Sequence, residues 1–369
     1  MPASFRKSDH STEQARIIHS GMIGTAKWTI DEDGLLVIGE GMLNTDDLPA
    51  SAHPEGASSD RWPWYAYHHE IDAVDGSAPF KIIGDLSYAF GGDEPKSISK
   101  RGLYTSIETM DLSGWDTSEV TSMRGLFYDC GGMTHVNVSS FDTGNVKDFS
   151  DLFSGCFSLH ELDVTNFRTG LAEDMSGMFS SCYLITELDV SRFNTAQVKN
   201  MNGMFSFCHR LEELDLSRFD TWQVENMSFM FCGCRGLRKI DVSSFETERV
   251  KSFDFMFSDC SSLRSLDSGK FHTGQATTLF KMFSDAFMLE DLNVADFNTQ
   301  NARYTQKMFD GCQSLNRVVY GAGLHKTFKA FRTKFPRGKW YQKGKGPYSV
   351  SSLPVPEQGE KAVLTRKEK

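Results

Sequence analysis

The stretch LDVSRFNTAQVKNMNGMFSFCHRLEE (residues 188–213) is followed at once by LDLSRFDTWQVENMSFMFCGCRGLRK (214–239), and the two align without a gap. The frame extends in both directions. Repeats of 26 residues start at Met110, Val136, Leu162, Leu188, Leu214, Ile240, Leu266 and Leu292, and Val318 opens a degenerate ninth. A period of this size that never drifts marks a solenoid, in which each repeat is one coil and equivalent side chains stack in columns. A lone coil leaves both flat faces in water, so its apolar residues are buried only when neighbours stack on it.

Some columns hardly vary. Thr occupies 117, 143, 169, 195, 221, 247, 273 and 299, and Phe occupies 127, 153, 179, 205, 231, 257, 283 and 309. An aromatic residue sits at 115, 141, 167, 193, 219, 245, 271 and 297. The two aromatic columns hold 15 of the 29 Phe, which accounts for most of an unusually high content. Within one repeat, Leu159-His-Glu-Leu162-Asp-Val164 has the form L-x-x-L-x-L, the strand signature of leucine-rich repeats. Leu162 and Val164 alternate with Asp163, so the leucine and valine point inward and the aspartate outward. On the other side, Val198, Met201, Met204, Phe205, Cys208 and Leu211 recur at spacings of three and four. That spacing predicts a short helix or 3₁₀ turn with one buried face. Thr195 precedes it, placed to cap its start. The expected fold is an α/β repeat solenoid: a right-handed leucine-rich-repeat coil, with parallel strands on one face and short helices or 3₁₀ turns on the other.

The pattern F-x-T-x-x-V-x-x-M-x-x-M-F-x-x-C-x-x-L-x-x-L-D-V-S resembles the BspA-type leucine-rich repeat of bacterial surface proteins, over about residues 108–320. GTAKWTIDEDGLLVIGEGML (24–43) and WPWYAYHHEIDAV (62–74) are similar to the segment that precedes the array in that family. The resemblance implies extracellular display, binding of proteins or cell surfaces, and no catalytic residues or cofactor. No export signal is visible in the first 20 residues, and LPVPE (353–357) lacks the Thr-Gly of a wall-sorting motif.

A solenoid needs capping at its ends. Residues 1–20 read as a flexible tail and 21–107 as an N-terminal cap, with a hairpin turning at Asp33-Gly34 and irregular first coils interrupted by the loop 91–102. Residues 108–324 form the array, and 325–369 form a basic C-terminal cap and tail, flexible from about Ser349. From Lys326 onward there are 12 Lys/Arg against 3 Asp/Glu, which leaves 27 basic and 46 acidic groups in residues 1–325. So acidic a body argues against nucleic acid as a ligand. No apolar run reaches the ~18 residues of a membrane span.

Seven of the eight cysteines share one column: Cys130, Cys156, Cys182, Cys208, Cys234, Cys260 and Cys312, with Ala286 in the gap. A column that accepts Ala wants a small apolar side chain, so these read as buried free thiols. Cys232 lies off the column and is expected at the surface. A linear ladder supplies no tetrahedral set of ligands for zinc. Tyr67-His68-His69-Glu70 is not H-E-x-x-H, and neighbouring side chains on a strand point opposite ways, so no metal site is expected.

The carboxylate column is the sharper case. Asp111, Asp163, Asp189, Asp215, Asp241 and Asp267 recur, with Asn137 and Asn293 in the same column. Parallel strands would set like charges ~5 Å apart, which is unfavourable unless something compensates. Three readings stand: acceptors for backbone amides at the following turn, an acidic binding strip, or oxygen ligands for Ca²⁺. Beside this column the outward strand positions change from coil to coil, as at Glu161, Glu187, Glu213 and Lys239. Variable positions beside a constant core describe a binding face. The sequence therefore points to a non-enzymatic recognition or adhesion module that binds a protein or cell-surface macromolecule through its strand face. The competing class is an enzyme or small-ligand binder with its site in residues 21–107.

Overall fold

The computed structural model describes residues 15–50, 59–92, 106–324, 338–342, 345–349 and 352–366. Most of the 91–102 loop, most of the 1–20 tail and the first part of the basic segment lie outside these residues. The strands, in chain order, are β1 (Ile17–Ile23), β2 (Ala26–Asp31), β3 (Leu35–Ile38), β4 (Gly41–Asn44), β5 (Ala73–Asp75), β6 (Phe80–Asp85), β7 (Thr109–Asp111), β8 (Trp115–Ser122), β9 (His135–Asn137), β10 (Ser265–Asp267), β11 (Asp291–Val294), β12 (Arg317–Gly321), β13 (Trp340–Gln342), β14 (Lys345–Tyr348) and β15 (Lys361–Thr365).

β1, β2 and β3 form an antiparallel meander, from which the sheet continues with parallel strands in the order β1-β2-β3-β5-β7-β9. A second, three-stranded sheet, β4-β6-β8, is parallel throughout. β1 begins at Ile17, inside the stretch expected to be a tail. At the other end the order is β10-β11-β12-β15-β13-β14, with β15 antiparallel to β12. Ala362 and Leu364 of β15 are buried against the last coil, so residues 352–366, expected to be flexible, include a strand that covers it.

Stacking is the organising feature. Rings of the invariant column follow one another at centroid distances of 5.2 Å for Phe127–Phe153, 5.8 Å for Phe179–Phe205, 5.8 Å for Phe205–Phe231 and 6.0 Å for Phe257–Phe283. All are nearly coplanar and fully buried. The second aromatic column lies beside the first, with Phe193 6.4 Å from Phe179 and Phe297 6.2 Å from Phe283. Offset rings at these separations add roughly 0.5–1.5 kcal/mol per pair beyond area burial.

The helices expected on the far side are absent: residues 106–321 contain none. The segment is a ribbon of consecutive turns. In the coil that starts at Leu188, the N–H groups of Met201, Gly203, Phe205 and Phe207 donate to the carbonyls of Asn226, Ser228, Met230 and Cys232 in the next coil, at 3.0, 2.8, 3.0 and 2.6 Å. The intervening Met204, Ser206 and Cys208 donate three residues back within the coil. Gly203 and Phe207 have φ of 61° and 59°, and the equivalent positions of the other coils repeat this left-handed geometry. Each such residue turns the next N–H along the solenoid, which a continuous helix cannot do. The spacing of three and four does mark one buried face, which a helix and this ribbon both produce.

Isolated parallel bridges mark this ribbon without a break: Ser122↔Asp148, Asp148↔Asp174, Asp174↔Asn200, Asn200↔Asn226, Asn226↔Ser252, Ser252↔Thr278 and Thr278↔Tyr304. The threonine column acts across coils and caps nothing. The Thr221 hydroxyl donates to the Glu246 carbonyl at 2.8 Å and accepts from the Glu246 N–H at 2.8 Å. Thr143 holds both backbone groups of Arg168 in the same way, as Thr273 holds those of Asn298. Thr221→Val keeps the shape but strands two backbone groups. It should lower stability by about 2 kcal/mol in urea unfolding, whereas Thr186→Val at an exposed position should change it little. Equal effects of the two would contradict the clasp.

Candidate functional site

The strand face is where the regular scheme fails. Strands pair between β5, β7 and β9 at one end and between β10, β11 and β12 at the other. The four coils between them carry no strand at 162–164, 188–190, 214–216 or 240–242. Among the described residues, a single backbone bond crosses coils on this stretch, Arg238 N–H to Glu212 O at 3.1 Å. The parallel ladder expected along the whole array is therefore interrupted at its centre, while the ribbon on the other side runs through.

Charge supplies a physical reason. Where strands pair within the array, the aspartate is followed by asparagine: Asn137 Nδ2 donates to Asp111 Oδ1 at 3.0 Å, and Asn293 Nδ2 to Asp267 Oδ1 at 2.8 Å. The interrupted coils stack aspartate on aspartate at 163, 189, 215 and 241, and Glu161, Glu187 and Glu213 repeat beside them. Asp75 and Asp111 do pair in register, held by the β1–β3 meander on one side and the Asn137 clasp on the other. The ribbon side shows the opposite policy. Lys147, Glu173, Lys199, Glu225 and Lys251 alternate from coil to coil, with Lys199 Nζ 2.6 Å from Glu173 and Lys251 Nζ 2.5 Å from Glu225.

Each aspartate of the column serves its own turn. The amides of Thr165, Ser191, Ser217 and Ser243 donate to Asp163, Asp189, Asp215 and Asp241 at 2.9 Å each. Asp111 and Asp267 receive the amides of Ser113 and Gly269, and Asn137 and Asn293 accept in the same way. This is the turn-acceptor role, with the carboxylate's outer oxygen left to solvent. The hydroxyls and amides of Thr165, Ser191 and Ser243 hold Asp163, Asp189 and Asp241 below the ordinary 3.8, as the Ser217 amide and hydroxyl do for Asp215. Opposing them, Asp189 pushes both Asp163 and Asp215 up.

The interruption leaves a groove of about 680 Å³. Its floor is Leu188, Leu214 and Ile240, each buried with 7–8% exposure. Its walls bring together Glu187, Asp189, Glu213, Asp215, Lys239 and Asp241, all read from the sequence as outward strand positions, and add Thr186 and Glu212. Glu161 and Asp163 lie one coil before it, and Asp111 and Asp267 fall in the paired stretches on either side. Six carboxylates thus face one lysine.

The remaining candidates are structural. The seven column cysteines are buried free thiols whose sulfurs approach main-chain carbonyls, such as Cys208 Sγ to Phe179 O at 3.2 Å. Burial pushes Cys208 and Cys312 up to about 12. Cys232 is buried too, contrary to expectation, because its column is a hydroxyl ladder turned inward: Ser180 and Ser206 hydroxyls lie 2.8 Å apart, as do those of Ser258 and Ser284. Burial raises the Cys232 thiol to about 11. In the cap, His68 Nδ1 is 2.6 Å from the Tyr65 carbonyl, and His19 pairs with Glu70 at 3.0 Å on an open sheet edge. Among the described residues, no three His, Cys, Asp or Glu side chains are grouped to hold a metal ion. No helix there is long and apolar enough to cross a membrane.

Coils, ladders and L-x-x-L-x-L strands define a repeat protein of the leucine-rich kind. Residues 100–214, 163–265 and 208–322 match the family described as Mycoplasma protein of unknown function, DUF285, and the chain belongs to that family. No curated protein matches. Two solved structures are similar. One is a leucine rich cell surface protein from Faecalibacterium prausnitzii A2-165, with 15% identity, TM-score 0.27, and 82% of this chain and 94% of that one covered. The other is a leucine-rich repeat protein from Eubacterium ventriosum ATCC 27560, with 14% identity, TM-score 0.25, and 78% and 92% covered.

The depressed carboxylates carry a signed pH dependence. A folded value below 3.8 means that their contribution is complete above that pH and is lost as pH falls through the lower folded values. Urea midpoints should decline below about pH 4. D189N and D215N keep a turn acceptor but lose its charge, so the decline of the urea midpoint below about pH 4 should shrink in the double variant. An acid decline as steep as that of the wild type would contradict this role for the column.

Proposed function

We propose that the protein is a non-enzymatic recognition module that binds a macromolecular partner through the strand face, displayed at a bacterial surface as the BspA-type resemblance implies. The observation that carries this reading is the groove at coils 188–241. A solenoid that satisfies its backbone between coils everywhere on the ribbon leaves it open here, and does so where side chains vary. Local conflict inside an otherwise consistent fold is where a functional surface is sought. Extended faces of solenoids suit this task, because a large contact area is assembled from many modest contacts.

The competing reading, a catalytic or small-ligand site in the N-terminal segment, has less support. The cleft there, about 400 Å³, is lined by Leu43, Trp62, Pro63 and Tyr65, with Asp47, Asp60 and Arg61 at its side. The Arg61 guanidinium is already engaged by the carbonyls of Thr45 and Pro49.

The test uses the full chain, immobilised and exposed to solubilised cell-surface proteins. A variant with Glu187→Lys, Glu213→Lys and Lys239→Glu should lose a partner retained by the wild type. One with Glu173→Lys and Lys199→Glu, which swaps a ribbon-side pair, should retain it. Equal recovery by both variants would count against the strand face.

A further inference from the structure

Resting on the strand-face reading, we infer that the groove between coils 188 and 241 takes an extended, cationic polypeptide segment of a partner protein. Three separate features converge. The backbone on this stretch lacks its neighbours: the N–H groups of Glu187, Asp189, Glu213 and Asp215 make no main-chain hydrogen bond. In the paired coils the residues equivalent to Glu187 and Glu213 are bonded, as in Arg317 N–H to Glu290 O at 2.9 Å and Asp291 N–H to Arg264 O at 3.2 Å, while inside the groove Arg238 N–H keeps its bond to Glu212 O at 3.1 Å. Backbone donors without a main-chain partner leave hydrogen-bonding capacity that a bound polypeptide can use.

The floor is apolar and lies just below the surface, which suits the aliphatic stems of lysine and arginine lying flat with their charged ends at the walls. The walls decide the sign of the occupant. Glu187, Asp189, Glu213 and Asp215 line the groove with one lysine, Lys239; Arg238 is held by Glu212 at 2.9 Å, and Arg192 and Arg218, outside the groove lining, offset part of the charge on Asp189 and Asp215. Hydrogen bonds keep the aspartates charged, while neighbours along the column repel one another. The chain has the means to neutralise such a column, through asparagine as at Asn137 and Asn293 or alternating sign as at Lys199–Glu173 and Lys251–Glu225. It uses neither here. A lysine or arginine side chain inserted between successive coils would relieve the repulsion and form charge-assisted hydrogen bonds. A nucleic acid or an anionic polysaccharide would add to the repulsion.

The probe is a labelled peptide of alternating lysine and threonine, about eight residues long so as to cross the groove, with a glutamate–threonine peptide as its counterpart. Fluorescence anisotropy with the full chain should show saturable one-to-one binding of the lysine peptide, weakened by added salt, and none of the glutamate peptide. Glu187→Gln, Asp189→Asn, Glu213→Gln and Asp215→Asn together keep the turn acceptors and remove four charges. This variant should weaken binding at least about tenfold. A control set that removes four charges from other faces, Asp142→Asn, Asp220→Asn, Glu246→Gln and Glu248→Gln, should change it less than about twofold. Equal weakening by the two sets would mean diffuse attraction to an acidic body and would overturn the site, as would absence of lysine-peptide binding at low salt. If a macromolecular partner is lost on strand-face charge reversal while the lysine peptide never binds, the recognition reading stands and the cationic occupant falls.

Discussion

The hydrogen-bonded ribbon of turns is the constraint on which the molecule depends. It fixes one coil against the next through main-chain bonds at every step, and it recurs without interruption from Ser122 to Tyr304. Because residues 26 apart are locked side by side, Phe must fall on Phe, Cys on Cys and Thr on Thr. The aromatic stack and the threonine clasps then supply burial and buried-polar satisfaction that no single coil could realise. The usual expectation for such folds places continuous pairing in the strands. Here the turns carry it, and the strands are free to part where the surface chemistry demands.

That freedom connects fold to function. The interrupted stretch is not poorly packed: Val190, Leu216 and Val242 stay buried, and Phe193, Phe219 and Phe245 close the core beneath them. Only the outer edge opens, at Leu188, Leu214 and Ile240, where carboxylates stack on carboxylates. A uniform strand ladder would have hidden the same residues behind satisfied backbone. The alternating lysines and glutamates of the ribbon show that the sequence controls charge coil by coil, so the acidic run on the strand face stands out against a neutralised background on the same scaffold.

Much of this was legible in the sequence because a strict period converts residue identity into position. The Phe stack, the buried thiols and the Asp-to-turn-amide bonds follow from columns that tolerate only substitutes with the same physical role, such as Ala286 for Cys or Asn137 for Asp. The ribbon was not legible. Spacings of three and four arise from any backbone that buries one side per turn, and the left-handed residues that distinguish it include Phe207, Phe229, Phe255 and Lys281, which carry no sign of that geometry. Cys232 escapes the sequence for a related reason: its own column is mostly Ser, which reads as polar and outward, yet those hydroxyls satisfy one another inside. The groove had a readable signal, five aspartates in succession from Asp163 to Asp267 without an intervening asparagine, but its effect on strand pairing needed coordinates.

Amide hydrogen exchange on the intact protein tests the central claim most directly, since it reads both sides of every coil at once. The account predicts strong protection at Met201, Phe205, Met227 and Phe231 on the ribbon, strong protection at Met110 and Leu292 in the paired strands, and rapid exchange at Glu187, Asp189, Glu213 and Asp215. Protection at those four amides equal to that of the ribbon would show a continuous strand ladder and contradict it.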